Sequence, residues 1–223
     1  MIVRFGTVCL SLFALIQTIP ICRPLKEEEF YTLKLNRTIL IGSKKIVDDE
    51  LYQHKCMEVD DHGVEHMEAK CLEGTTKVGD EEPESTKGET YNYFQNSKGQ
   101  RFEYEEIRLT LKDDPLEYVM AEMHSKLKDA SVVAGETWRD KSTNTSYSIS
   151  VGEPKLFMKT ECIQVIRKGI FTNGISGEFK EESWYRVADG QVMSQQTTAD
   201  KIVIPNAFEI QFFEKSEFRP EKS

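Results

Sequence analysis

The chain has 223 residues, of which 39% are hydrophobic and 30% charged, with a formal net charge of −9. That length accommodates one or two domains, and the modest hydrophobic content favours several small cores over one large one. An acidic surface argues against nucleic acid and against anionic membranes as partners.

Met1 to Arg4 form a short basic start, and Phe5 to Ile21 is an apolar run interrupted by Gly6, Ser11 and Gln17. The run is too short and too broken for a good membrane span, and Arg23-Pro24-Leu25-Lys26 and three glutamates follow at once. This pattern reads as a cleaved secretory signal over residues 1–22, an uncleaved anchor being the alternative. Pro20 sits awkwardly for a cut after Cys22, so the cut could fall a few residues earlier. Without residues 1–22 the chain carries 28 Lys plus Arg against 38 Asp plus Glu, a net charge of −10. No later stretch is long and apolar enough to span a bilayer, so the expected location is extracellular.

Cysteine usage agrees with export. Cys9 leaves with the signal, and Cys22 stays only if cleavage precedes it. Cys56 and Cys71 end two alternating runs on either side of a turn at Asp60 to Gly63. If the runs fold back on each other, a Cys56–Cys71 disulfide would close a loop of about 15 residues, contributing about 3 kcal/mol in the chain-entropy model. Cys162 is free, pairs with Cys22, or pairs between chains.

Strands and turns dominate the reading. Phe30 to Ile41, Arg101 to Leu111, Leu156 to Arg167 and Phe208 to Phe213 alternate apolar with polar residues, as half-buried strands do. One segment differs. Asp114-Pro115-Leu116-Glu117 starts a helix, with Asp as N-cap, Pro at the first helical position and Glu at N3. Leu116, Val119, Met120, Met123 and Leu127 then recur at helical spacing, giving an amphipathic helix over about 115–128 whose stripe faces a core. The acidic stretch Lys77 to Thr90 reads as a solvated loop; it lacks the ligand spacing of a cation site.

A weak pattern comes round four times. Gly42, Gly79, Gly135 and Gly177 each open a unit, followed by a polar stretch and a short run: Tyr52 to Cys56, Tyr91 to Gln95, Thr145 to Ile149 and Ser183 to Val187. A turn follows each run: Asp61-His62-Gly63, Ser97-Lys98-Gly99, Gly152-Glu153-Pro154 and Asp189-Gly190. The expected fold is therefore mostly β, built of tandem small antiparallel modules in four degenerate repeats, with one inserted helix. The expected layout is repeats one and two over 30–112, a linker helix over 113–131, repeats three and four over 132–215, and a charged tail over 216–223.

Gly-Glu-Thr-Trp at 135–138, the Tyr-led runs, the turns, and Cys56 with Cys71 resemble the fibronectin type I-like repeats of nematode secreted proteins, the family named after an abnormal-cell-migration phenotype. The resemblance covers about 42–204. Units two and four lack cysteine, and unit three has only Cys162. The resemblance implies a non-catalytic role as an extracellular-matrix or secreted adaptor protein.

Chemistry-bearing groups are few. His62 and His66 lie between Cys56 and Cys71, but zinc needs available thiolates, and in an oxidising compartment these cysteines are better used as a disulfide. His54, His62, His66 and His124 therefore read as surface or edge residues. No Ser-His-Asp order, Gly-x-Ser-x-Gly, His-Glu-x-x-His or phosphate loop is present. No catalytic residue, metal ligand or cofactor is assigned. Asn36-Arg37-Thr38 and Asn144-Thr145-Ser146 are glycosylation sequons. Tyr93, Tyr147, Trp184 and Tyr185 fall in the repeating column and read as core, whereas Trp138 lies off it and is the best aromatic contact candidate. The expected function is a secreted, non-enzymatic protein binding another extracellular protein or matrix component through the turns of its repeats. The rival is a single β-barrel carrying a small apolar ligand, as lipocalin-like proteins do.

Overall fold

Long alternating runs and tight turns between them dictate an antiparallel meander, and the chain forms one. A computed structural model describes residues 18–96, 101–102, 115–124, 131–142, 144–172 and 174–219. In chain order the elements are β1 (Thr18–Pro20), β2 (Phe30–Ile41), β3 (Lys44–Val59), β4 (Glu65–Val78), β5 (Glu84–Ser85), β6 (Thr90–Gln95) and β7 (Arg101–Phe102). After α1 (Pro115–His124) come β8 (Ser131–Val133), β9 (Thr137–Lys141), β10 (Thr145–Val151), β11 (Lys155–Phe157), β12 (Thr160–Phe171), β13 (Ser176–Arg186), β14 (Val192–Ile204) and β15 (Phe208–Arg219). The turn expected at 97–99, most of the strand expected over 101–111, the Asp114 cap and the helical positions beyond His124 lie outside the described residues.

Among the described residues thirteen strands form one antiparallel sheet in the order β7-β6-β4-β3-β2-β15-β14-β13-β12-β10-β9, with β5 added to β4 and β11 to β12. The two chain halves meet in its centre, where β15 pairs with β2 from Ile210↔Ile41 to Arg219↔Thr32. The last strand thus extends through residues 216–219, the segment expected to be a charged tail. Among the described residues the edge strands β7 and β9 do not pair with each other.

The strand expected over 156–167 is two. Met158 and Lys159, at φ 49° and 65°, turn the chain back so that β11 pairs with β12. A two-residue hairpin turn of type I′ needs positive φ at both central positions, which Gly or Asn usually supplies. With neither present, alternation runs through the turn unmarked. The four repeat-opening glycines occupy different places. Gly42 makes the β2–β3 turn, Gly79 follows β4, Gly135 lies between β8 and β9, and Gly177 is inside β13.

One sheet face carries the cores. The larger cluster includes Ile39, Ile149, Ile163, Val165, Ile202, Ile210 and Phe212, with Val119 and Met123 of α1 buried in it. The smaller one gathers Leu25, Cys56, Met67, Ala69 and Tyr93. Ile19 and Ile21 also belong to the larger cluster, with Ile19 only 1% exposed, and β1 pairs with β8. A leader cut after Cys22 would remove both isoleucines. If the chain is exported with a cleaved leader, the cut is expected upstream of Thr18, and amino-terminal sequencing of protein from the culture medium checks this. A start at Arg23 in a protein of undiminished thermal stability would count against it.

Candidate functional site

The register of the four central strands builds the site row by row, because side chains directly opposite each other share a face. The first row, Ile46–Ile39–Phe212–Ala199 across β3, β2, β15 and β14, is apolar and belongs to the larger core. Two residues along, the row is Asp48–Arg37–Glu214–Thr197, and the next is Glu50–Leu35–Ser216–Gln195. Beyond these Tyr52 stands opposite Leu33, and His54 opposite Tyr31. The face thus passes from apolar through charged to aromatic.

Between this face and α1 lies a cavity of about 460 Å³. Leu33, Leu35 and Arg37 of β2 and Glu50, Tyr52 and His54 of β3 form one part of the wall. Gln195, Glu214 and Ser216 form another, with Tyr91 at one side and Met120 of α1 reaching in. A concave space of this size, with aliphatic and aromatic side chains set beside convergent polar and charged ones, can take a small molecule.

Its charges are held in place. Arg37 Nε donates to Asp48 Oδ2 at 2.7 Å, and its Nη1 lies 3.9 Å from Glu214 Oε2. Asp48 also accepts from Thr76 Oγ1 at 2.8 Å. Burial opposes the Arg37 charge, but Asp48, Glu214 and Glu50 outweigh it and raise its pKa above the ordinary value. Burial, followed by Glu50, pushes the Tyr52 phenol well up. The aromatic end is a connected cluster. The Tyr52 and Tyr91 rings meet edge-on at 5.7 Å, Tyr31 stacks on His54 at 5.0 Å, and the Tyr93 hydroxyl is 3.0 Å from His54 Nδ1.

The helix is fixed over the sheet by two polar anchors. Glu122 accepts from Ser142 Oγ at 2.6 Å, Thr145 Oγ1 at 3.0 Å and Tyr147 OH at 3.1 Å. Arg167 donates to the Met123 carbonyl and to Glu181 Oε2, the latter at 2.9 Å. These contacts hold Met120, one turn upstream, against the cavity.

The sequence-based candidates fall elsewhere. In the β3–β4 register Cys56 faces Met67 and Cys71 faces Tyr52, a stagger of four residues. At about 3.3 Å per residue that is roughly 13 Å along the strand, whereas bridged cysteines keep their Cα atoms within about 7 Å. Both are free thiols buried in the structure, so the expected Cys56–Cys71 disulfide is corrected. The physical reason is the turn: β3 ends at Val59 opposite Glu65, which fixes the pairing closer to the tip than the expectation assumed. Cys162 is likewise a free, buried thiol. Burial pushes the Cys56 and Cys162 thiols up, so neither is an activated thiolate.

His54 is buried rather than at the surface or an edge, while His62 is exposed in its turn and His66 stacks on Phe94 at 4.9 Å. The His124 side chain lies outside the described residues. Among the described residues no three His, Cys, Asp or Glu side chains converge to hold a metal ion. Tyr93, Tyr147 and Tyr185 are buried, and Trp184 stacks on Phe157 at 4.5 Å. Trp138, the contact candidate, is half-buried on β9 and packs against the larger core. Asn36 is half-buried on β2, one residue out of phase with the cavity-lining Leu35 and Arg37. Asn144 lies in the β9–β10 turn, where its carbonyl accepts from Thr172.

Glu65, near the amino end of β4, supports the aromatic end from below. Only 2% exposed, it accepts from the Leu25 amide at 3.0 Å and from Gln95 Nε2 at 3.1 Å. Burial raises its pKa above the ordinary 4.5, more than those two donors lower it. Its contribution is then complete below the unfolded-state value and is lost as pH rises through the folded one. Glu65→Gln, which keeps an acceptor for Leu25, is expected to remove that decline. Urea titrations from pH 4 upwards check this, and parallel pH profiles for wild type and variant would refute it.

Arg37, Glu50, Tyr52, His54 and Glu214 were missed as a group by sequence reasoning. One signal was available: Arg37 continues the phase of Leu33, Leu35, Ile39 and Ile41, so a charge interrupts an otherwise apolar face. Among the described residues no helix is long and apolar enough to cross a membrane. No family model matches this sequence, and no curated protein matches it.

Proposed function

We propose that this chain is an exported, non-enzymatic binding protein that holds a small molecule in the cavity between α1 and the central strands. The observation carrying this is the 460 Å³ space itself, with ordered polar groups on its floor and Met120 at its helix side. The ligand reading differs from a lipocalin-like barrel, since β7 and β9 do not pair among the described residues and the lining mixes charge with apolar groups. The test is to plug the space. Leu35→Trp is expected to abolish uptake of small aromatic probes, measured by calorimetry, while circular dichroism stays unchanged. Unchanged uptake in the folded variant would refute the site.

A second reading keeps the protein-binding role, with another extracellular protein or matrix component as partner. It is favoured by Leu156 at 79% and Met158 at 48% exposure, displayed at the strained β11–β12 turn. The four-unit, fibronectin type I-like description belongs with this reading, although the free Cys56 and Cys71 deprive it of its covalent signature. Replacing both Leu156 and Met158 by Ser would reduce partner capture on this reading and leave small-molecule uptake intact.

A further inference from the structure

We infer that the cavity selects a small organic cation, an ammonium group carried on an apolar or aromatic body. This rests on the small-molecule reading above and names its ligand class.

Charge is the first argument. Among the described residues the cavity is lined by one cation, Arg37, and two carboxylates, Glu50 and Glu214. Arg37 is already engaged by Asp48 at 2.7 Å and stands 3.9 Å from Glu214, so its charge is offset within the protein. Glu50 is 4% exposed, and the Arg37 charge that it feels is shared with Asp48 and Glu214. A buried carboxylate is costly unless a positive charge approaches it, and a ligand ammonium is a group that could do so. An anionic ligand would meet Glu50 and Glu214 with its own charge and find Arg37 occupied.

The rings supply the second argument. Tyr52, His54 and Tyr91 line the cavity beside Glu50, with the Tyr52 and His54 centroids 6.1 Å apart and His54 and Tyr91 6.5 Å apart. Aromatic faces attract a cation within about 6 Å of their centroids, most strongly where water is excluded. Leu33, Leu35 and Met120 then offer a surface for the rest of the molecule. The geometry therefore sorts ligand parts: the charged head toward Glu50 and the tyrosines, the body against the leucines. The excess of acidic residues over the whole chain attracts cations from a distance.

The experiment uses the full exported chain and three probes of similar shape: phenethylamine, 2-phenylethanol and 3-phenylpropionate. Calorimetry at neutral pH is expected to rank the amine at least about tenfold tighter than the alcohol, as a charge pair plus ring contacts would give, with the carboxylate weakest. Glu50→Gln is expected to bring amine affinity down to that of the alcohol while leaving the alcohol unchanged. Equal binding of amine and alcohol to the unmutated chain overturns the cation assignment and leaves the cavity a small-molecule site; tightest binding of the carboxylate overturns it likewise. Binding of no probe by the folded chain overturns both this inference and the small-molecule function. The wild-type ranking decides the matter even if Glu50→Gln fails to fold, and Glu214→Gln serves as the second variant, with a smaller loss of amine affinity expected.

Discussion

Arg167→Met is expected to destabilise the fold by about 3–5 kcal/mol, the range for removing one partner of a buried ion pair. Arg167 is 3% exposed and sits between a helix carbonyl, that of Met123, and Glu181 Oε2 at 2.9 Å. Its guanidinium also lies 5.2 Å from the Tyr147 ring centroid and 5.4 Å from that of Phe179. Methionine fills much of the volume but supplies no charge and no donor. Glu181, 8% exposed, would keep Ser183 Oγ at 3.2 Å and lose its cation. Adding Glu181→Met should restore part of the loss, because exchanging both partners of a buried pair for apolar groups is far less costly than exchanging one. Urea unfolding of the two single variants and the double variant measures this. A single-variant loss below about 1 kcal/mol, the level of an exposed pair, would show that the pair is not acting as a buried one. Since Arg167 anchors α1, the single variant is also expected to weaken ligand uptake at Met120.

Much of the fold was legible and most of the site was not. Period-two alternation found β2 to the residue, because that signal is local; a short helix stands at Pro115–His124, while the Asp114 cap and the turn beyond His124 expected for it lie outside the described residues. The partnership of β2 with β15 was not legible. These strands are separated by most of the chain, and each would pair equally well with other partners on its own pattern. The cavity depends on that pairing: Glu214 reaches Arg37 only because β15 lies beside β2. The buried His54 was read as peripheral because a histidine in a Tyr-x-His-x-Cys run looks the same whether its face is covered or bare. The disulfide expectation failed for a different reason. It used the positions of Cys56 and Cys71 relative to a turn without fixing the register, and a stagger of four residues is invisible to composition or alternation.

Gly177→Ala is expected to cost roughly 3 kcal/mol, several times the cost of the same change at Gly42 or Gly79, although all three open a unit of the sequence pattern. Gly177 has φ 137°, a backbone region that L-residues with a Cβ avoid. A Cβ there would stand 2.4 Å from the Lys201 carbonyl oxygen and 2.9 Å from Ile202 Cα, both backbone atoms of the neighbouring β14. Neither can swing aside as a side chain would, so β13 must shift against β14 just before the register change between Glu178 and Lys180. At Gly42 and Gly79, with φ 60° and 59°, a Cβ meets nothing within 4 Å, and alanine costs only the left-handed backbone preference, about 1 kcal/mol. For a chain of this size each kcal/mol lowers the midpoint by about 2–4 °C, so Gly177→Ala should fall by roughly 6–12 °C and the other two by a few degrees. Thermal unfolding of the three variants side by side gives the ranking. Equal shifts would mean that the glycines do the same job in four equivalent units; the expected inequality means that Gly177 permits a close approach of two strands while Gly42 and Gly79 only turn the chain.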